Sequence, residues 1–263
     1  MAFTPEEETV VQSQLALLVR ALRHVPGGGK IEEDYWSYVY HIARGASVRG
    51  WSNMPMRDFT HNGLGVEMKL LKSRKSRRPF SHQGKRIMHP AATRAIAFNP
   101  ADSAEDCKVA ILTQFGSQIA AFRERVKEDG GVPQADIRWG VLLWNVELTE
   151  FLYFEERMIE PNPNDYRAEF VVSNHRGSAT RNLHIFEKAT DIKRFSVTRP
   201  EKGAKVQPYY DVPYIGEGAY AFTVPDDDRK PLWVKGETFQ AIEEVAAEAG
   251  LDVDEYLKIQ LGL

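Results

Sequence analysis

The chain has 263 residues, 43% apolar and 27% charged, enough for a full hydrophobic core in one globular domain of generous size or a domain with an appendage. A single cysteine, Cys107, excludes an internal disulfide and a cysteine-built zinc site, and no apolar run approaches the roughly 20 residues that span a bilayer. The formal net charge of −3 hides an uneven distribution: residues 68–101 hold nine of the 34 Lys and Arg and no acid, leaving 25 basic against 37 acidic residues elsewhere. With an acidic first segment, these features predict a soluble, cytoplasmic protein without membrane association, in which one basic stretch is set in an acidic body.

Apolar positions at helical spacing predict a helix over residues 5–24, with Thr4 as N-cap and acids in its first turn. The Pro-Gly-Gly-Gly-Lys segment at 26–30 ends it. This is not a phosphate loop, because His24 stands where the first glycine of that motif belongs. A second helix is expected over residues 31–48, with Glu32, Glu33 and Asp34 in the first turn, where the helix dipole favours acids.

Asp58 then ends a short extended run. His61-Asn62-Gly63-Leu64-Gly65 supplies turn chemistry, and residues 65–71 read as a strand. Alternation along it puts Val66, Met68 and Leu70 on one apolar face, with Glu67 and Lys69 on the other, roughly 7 Å apart. An aspartate brought across a hairpin to a glutamate forms a hard oxygen site suited to Mg²⁺. A neighbouring ammonium can orient a water and stabilise charge developing on a phosphate. The alternative for the same residues is an exposed, solvated strand face carrying a Glu67–Lys69 ion pair.

Residues 72–94 are basic and are interrupted by Pro79, Gly84 and Pro90, which predicts a loop with short helical turns beside the Glu67–Lys69 face. Its Lys72, Arg74, Lys75, Arg77, Arg78, Lys85, Arg86 and Arg94 are candidate phosphate contacts. A long amphipathic helix follows over residues 104–128, ended by Gly130-Gly131 and carrying Gln114 and Gln118 one turn apart. Two strands are expected over residues 137–154, joined near Glu147-Leu148-Thr149, the first apolar enough to be central and with Trp139 and Trp144 in the core.

Further strands are expected at 168–173, 183–188 and 193–200. The polar, acid-free segment 174–182 between the first two reads as a loop able to enter a DNA groove, since Asn174, Arg176 and Arg181 are of the types that read base edges. Residues 203–211 look irregular. Pro225-Asp226-Asp227-Asp228 marks a boundary, dividing residues 1–225 from an appendage at 226–263. That appendage reads as a strand at 231–235 and helices at 237–249 and 252–261. The order is similar to a ribbon-helix-helix unit, but the sparse positive charge favours a helical pair packed on the body or on a second subunit.

The Asp58, Glu67-Met68-Lys69 arrangement resembles the PD-(D/E)xK nuclease superfamily, most closely a type II restriction endonuclease, although Arg57-Asp58 lacks the proline of the first motif. The resemblance implies an α/β fold with a restriction-endonuclease-like mixed β-sheet of about five strands flanked by helices. It also implies Mg²⁺-dependent hydrolysis of double-stranded DNA by a homodimer. Asp58 and Glu67 would ligate the metal, with the Met68 carbonyl as a further candidate ligand, and Lys69 would position or deprotonate the attacking water. A glutamate of the helix that precedes the hairpin, Glu33 or Glu32, would join the site. A structure-selective resolvase or repair nuclease, and a DNA-binding protein without catalysis, are the alternatives.

Overall fold

The computed structural model describes residues 2–24, 30–46, 58–73, 78–88, 96–175, 178–198, 200, 206–224, 232–235, 238–241, 246–252 and 255. Helix α1 (Pro5–His24) begins with a reciprocal cap: Glu7 N donates to Thr4 Oγ1 (3.2 Å) and Thr4 N donates to Glu7 Oε2 (2.8 Å). Helix α2 (Glu33–Ala43) starts two residues later than its apolar spacing suggests, and its residues Trp36, Val39 and Tyr40 are buried. Helix α3 (Ala104–Gly130) is capped by Ser103, whose side chain accepts from Asp106 N, and ends at Gly131 in the left-handed conformation.

Strands β1 (Phe59–His61) and β2 (Leu64–Lys72) form a hairpin around Asn62 (φ 47°) and Gly63 (φ 80°), the pair of positive φ values that a two-residue turn between twisted strands requires. After β3 (Arg86–Met88) and α3, the chain returns as β4 (Asp136–Trp144), parallel to β2, and turns back as β5 (Glu150–Arg157). Strand β10 (Ala219–Thr223) completes a five-stranded mixed sheet in the order β1-β2-β4-β5-β10. Strands β6 (Tyr166–His175), β7 (Ser178–Glu187), β8 (Ile192–Thr198) and β9 (Val206–Asp211) form a second five-stranded sheet with β3, in the order β3-β9-β8-β7-β6 and antiparallel throughout.

The mixed sheet is buried on both faces, which is why β4 is apolar at almost every position. On one face Val66, Met68, Leu142 and Tyr153 pack with Leu15, Trp36 and Tyr40 of α1 and α2. On the other, Trp139, Leu152 and Phe154 pack with Phe115 and Phe122 of α3 and with Ile185, Val197 and Tyr210 of the second sheet. Each such large side chain contributes about 1.5–3 kcal/mol on burial. Gly140 permits the close approach on the first face, since a Cβ there would lie 2.5 Å from Tyr153 Oη and 2.8 Å from Val66 Cγ1.

Several expectations need correction. Asp58 precedes β1 rather than ending it. The basic stretch contains β3 as well as a 3-10 turn at Pro79–His82, because Arg86–Met88 finds a partner in β9 far along the chain. Residues 206–211, expected to be irregular, are β9 itself. The expected loop at 174–182 is mostly a two-stranded ribbon: β6 runs to His175 and β7 starts at Ser178. In the appendage, β11 (Leu232–Lys235) pairs with β12 (Thr238–Ala241), so a strand replaces the start of the expected helix. Gly236 separates two short runs that carry the β-formers Trp233, Val234, Thr238 and Phe239, and this hairpin lies against α1. Of the expected helices only 246–248 and 255 are helical among the described residues, where no helix is long and apolar enough to cross a membrane.

Candidate active site

The tight β1–β2 turn sets the register Phe59↔Val66, and Asp58, one residue outside β1, therefore stands beside Glu67. Its carboxylate takes over where β1 stops: Asp58 Oδ2 accepts a hydrogen bond from Met68 N at 2.6 Å. The Asp58 carbonyl accepts another, from Ser37 Oγ of α2 at 2.8 Å. Alternation then separates the faces. Val66 and Met68 are wholly buried against α1 and α2, whereas Glu67 and Lys69 lie on the face that carries Trp139.

That second face is not a solvated one. The Glu67 and Lys69 side chains are 13% and 15% exposed, and Lys69 Nζ donates to Glu67 Oε1 at 2.7 Å and to the Met68 carbonyl at 2.8 Å. It also lies 5.9 Å from the centre of the Trp139 ring. Glu67 Oε2 is buried and has no hydrogen-bond partner.

Burial first, then the neighbouring Glu67, pushes the Asp58 carboxyl up to about 8 against the opposing pull of Lys69. Burial likewise raises Glu33, with Lys69 opposing and Glu67 adding to the rise. For Lys69, burial alone would favour the neutral amine, but Glu67, Glu33 and Asp58 together outweigh it and raise its pKa. Glu33 is thus within electrostatic reach of all three residues. Glu32, the other glutamate candidate at the start of α2, is 53% exposed and pairs with Lys30 at 2.5 Å.

Three crowded carboxyls around one ammonium, with an orphaned buried carboxylate oxygen, are an arrangement that a divalent cation would relieve. Among the described residues no three His, Cys, Asp or Glu side chains are gathered as a complete ligand set. Mg²⁺ held by the two carboxylates of Asp58 and Glu67 would take its other ligands from water and phosphate, which is its ordinary habit. The Met68 carbonyl is engaged by Lys69.

The basic residues are less available than their sequence suggests. Arg78 pairs with Glu150 through Nε–H to Oε2 (2.7 Å), Arg86 Nε donates to Asp211 Oδ1 (2.7 Å), and Lys85 Nζ donates to the Ser81 carbonyl (2.6 Å). Lys72 is exposed at the end of β2, 5.0 Å from the Trp144 ring centre. Arg181 stacks 3.4 Å from the centre of the Phe170 ring and donates to the Pro100 carbonyl (3.1 Å). Arg74, Lys75, Arg77, Arg94 and Arg176 and the Asn174 side chain lie outside the described residues. Gln114 holds the chain at Ala97, accepting from its N–H (3.1 Å) and donating to its carbonyl (2.5 Å).

Three neighbours went unread in the sequence. Ser37 lies one helical turn after Glu33, a spacing that could have drawn attention to it. Glu156 lies on the same sheet face as Glu67, across Trp139, and burial followed by Asp211 pushes its carboxyl up to about 7. Tyr210 approaches that face from β9, and the Tyr210 hydroxyl and Glu156 Oε2 are both buried without hydrogen-bond partners. Nothing local marks either residue. A cavity of about 600 Å³ borders the cluster, walled by Glu33, Lys30, Leu70, Lys72 and Trp144. No protein-family model, curated protein or solved structure matches this chain.

Proposed function

We propose that this chain is a Mg²⁺-dependent DNA endonuclease of the PD-(D/E)xK kind, built on a restriction-endonuclease-like fold and acting as a homodimeric type II restriction endonuclease. The observation that carries this reading is the convergence of Asp58, Glu67, Lys69 and Glu33 at the open end of the β1–β2 hairpin, with Glu67 Oε2 buried and unpartnered. The mixed five-stranded sheet, covered by α1 and α2 on one face and by α3 with the second sheet on the other, supports it.

Asp58 and Glu67 are the residues that would hold Mg²⁺, which when bound polarises a phosphate oxygen and lowers the pKa of a water. Lys69, kept as an ammonium by its three acidic neighbours, orients the attacking water and donates to the phosphate rather than taking up a proton. Met68 N–H holds the Asp58 carboxylate against β2. Lys72, exposed at the end of the same strand but on its opposite face beside Trp144, would meet the DNA backbone only at the edge of the site.

The β6–β7 ribbon is the recognition element. Its last four rungs, Val172↔Arg181 to His175↔Ser178, have no β8 partner, and residues 170–186 contain no acid. Thr180 is buried and Arg181 is held at Pro100 and Phe170, so the two outermost rungs, Asn174↔Ala179 and His175↔Ser178, are the part that would reach, about 7 Å, into a major groove whose width of about 12 Å admits a two-stranded ribbon.

The formed Glu67–Lys69 ion pair is also what a DNA-binding protein without catalysis would present. A Mg²⁺ titration with a plasmid substrate separates the two. Cleavage should require the metal, and Asp58→Ala and Glu67→Ala should abolish it while leaving the fold and much of the DNA affinity intact. Lys69→Ala should cut slowly or not at all yet still bind metal. Cleavage at wild-type rates by the two carboxylate variants would discard the assignment. Sequencing the cut ends distinguishes a site-specific enzyme from a structure-selective one.

A further inference from the structure

Asp58 lies outside any strand, so β-sheet hydrogen bonding does not fix its backbone. Two bonds hold the residue instead: Ser37 Oγ–H to its backbone carbonyl at 2.8 Å and Met68 N–H to its carboxylate at 2.6 Å. The first comes from α2, the helix that also supplies Glu33. Ser37 is itself supported, because His41 Nδ1 lies 2.7 Å from the Ser37 carbonyl and 3.4 Å from its hydroxyl. A carbonyl only accepts, so His41 carries its hydrogen on Nδ1 and the Ser37 hydroxyl must donate to Asp58. The His41 ring is buried and packs edge-on against Phe59, the residue after Asp58. Glu33, Ser37 and His41 are spaced four apart and form one stripe of α2.

We propose that Ser37 is a positioning residue: through its hydroxyl, α2 sets the place of Asp58 and fixes it relative to Glu33. The positioning claim concerns the fold alone, and its consequence for DNA cleavage rests on the nuclease reading above. Ser37 touches no reacting group. Its effect is transmitted by the Asp58 backbone to the carboxylate, and the reporter of that carboxylate is the Met68 amide bonded to it.

The test is residue-resolved amide hydrogen exchange on the full chain, comparing Ser37→Ala and Ser37→Thr with wild type. Ser37→Ala should speed exchange at Met68 roughly fivefold, the factor that loss of one neutral hydrogen bond corresponds to. Val66 and Val141, held by strand pairing, should keep their rates. Ser37→Thr retains the hydroxyl and should restore Met68 protection. In cleavage assays Ser37→Ala should lower kcat with KM unchanged, and Ser37→Thr should recover it. Unchanged Met68 protection in Ser37→Ala would overturn the proposal. So would an equal rise at Met68, Val66 and Val141, which would mean a general loosening. Wild-type protein that cuts no DNA would remove the nuclease reading, while the exchange result would still decide the role of Ser37.

Discussion

Replacing Asp58 by asparagine tests the electrostatics of the candidate site without reference to activity. Asparagine keeps the shape and an oxygen for Met68 N–H but cannot ionise. In the unfolded chain Asp58 titrates near the ordinary 3.8, and in the fold near 8. Its folded value is the higher one, so its contribution is fully present below pH 4 and is lost as pH rises through 8. Between pH 5 and 8 the unfolded chain is ionised at this position and the folded chain is not, so stability falls by about 1.4 kcal/mol per pH unit, or about 4 kcal/mol across the interval. Water entering the cleft as charge develops reduces this to about 2 kcal/mol. Thermal unfolding at pH 5 and pH 8 reads the difference directly. The asparagine variant should gain roughly 5 °C on wild type between the two conditions, at about 2–4 °C per kcal/mol for a chain of this size. Glu156, whose carboxyl is also raised, titrates in both proteins and cancels in the comparison, whereas Glu33, within reach of Asp58, loses a like-charged neighbour in the variant and adds to the difference in the same direction. Mg²⁺ at about a hundred times its dissociation constant should stabilise wild type at pH 8 by about 2.7 kcal/mol, reversibly with chelator, and leave the variant unchanged. A variant that tracks wild type at both pH values, or that is less stable at pH 8, would refute the reasoning.

The basic stretch makes a second test. Arg77→Ala, which spares the Arg78–Glu150 pair, should weaken DNA binding across all sequences and flatten its salt dependence by about one unit of slope, and an unchanged slope would show that this residue carries no phosphate. Glu155, 3% exposed, accepts from Tyr40 Oη (2.7 Å), Tyr153 Oη (2.9 Å) and Arg138 Nη1 (2.9 Å). Glu155→Ala should cost about 3–5 kcal/mol in urea unfolding, against about 1 kcal/mol or less if this were an exposed ion pair. Truncation after Asp228 removes the β11–β12 hairpin and should change the oligomeric state measured by light scattering. An unchanged mass ratio would discard an assembly role for that segment.

Local chemistry alone determined α1, α3 and the β1–β2 hairpin. The apolar spacing and Thr4 cap of α1, the stop at Gly130-Gly131, the Asn-Gly turn and the two-sided burial of β4 all depend on neighbours within a few residues, and their elements stand close to where the residues predict them. The adjacency of Asp58 and Glu67 was legible for the same reason, because a two-residue turn leaves little freedom of register. Only the tertiary structure decided what lies farther apart in sequence. Strands β3 and β9 are short and unremarkable in composition, and each becomes a strand because the other is presented to it. The same holds at the candidate site: alternation put Glu67 and Lys69 on one face, but the second sheet and α3 made that face a buried one, and burial raises the Asp58 and Glu33 carboxyls. Choosing Glu33 over Glu32 required the placement of α2 against β1, as did finding Ser37. Charge and periodicity are written residue by residue along the chain, whereas desolvation and long-range pairing are properties of surfaces that exist only once the chain has folded.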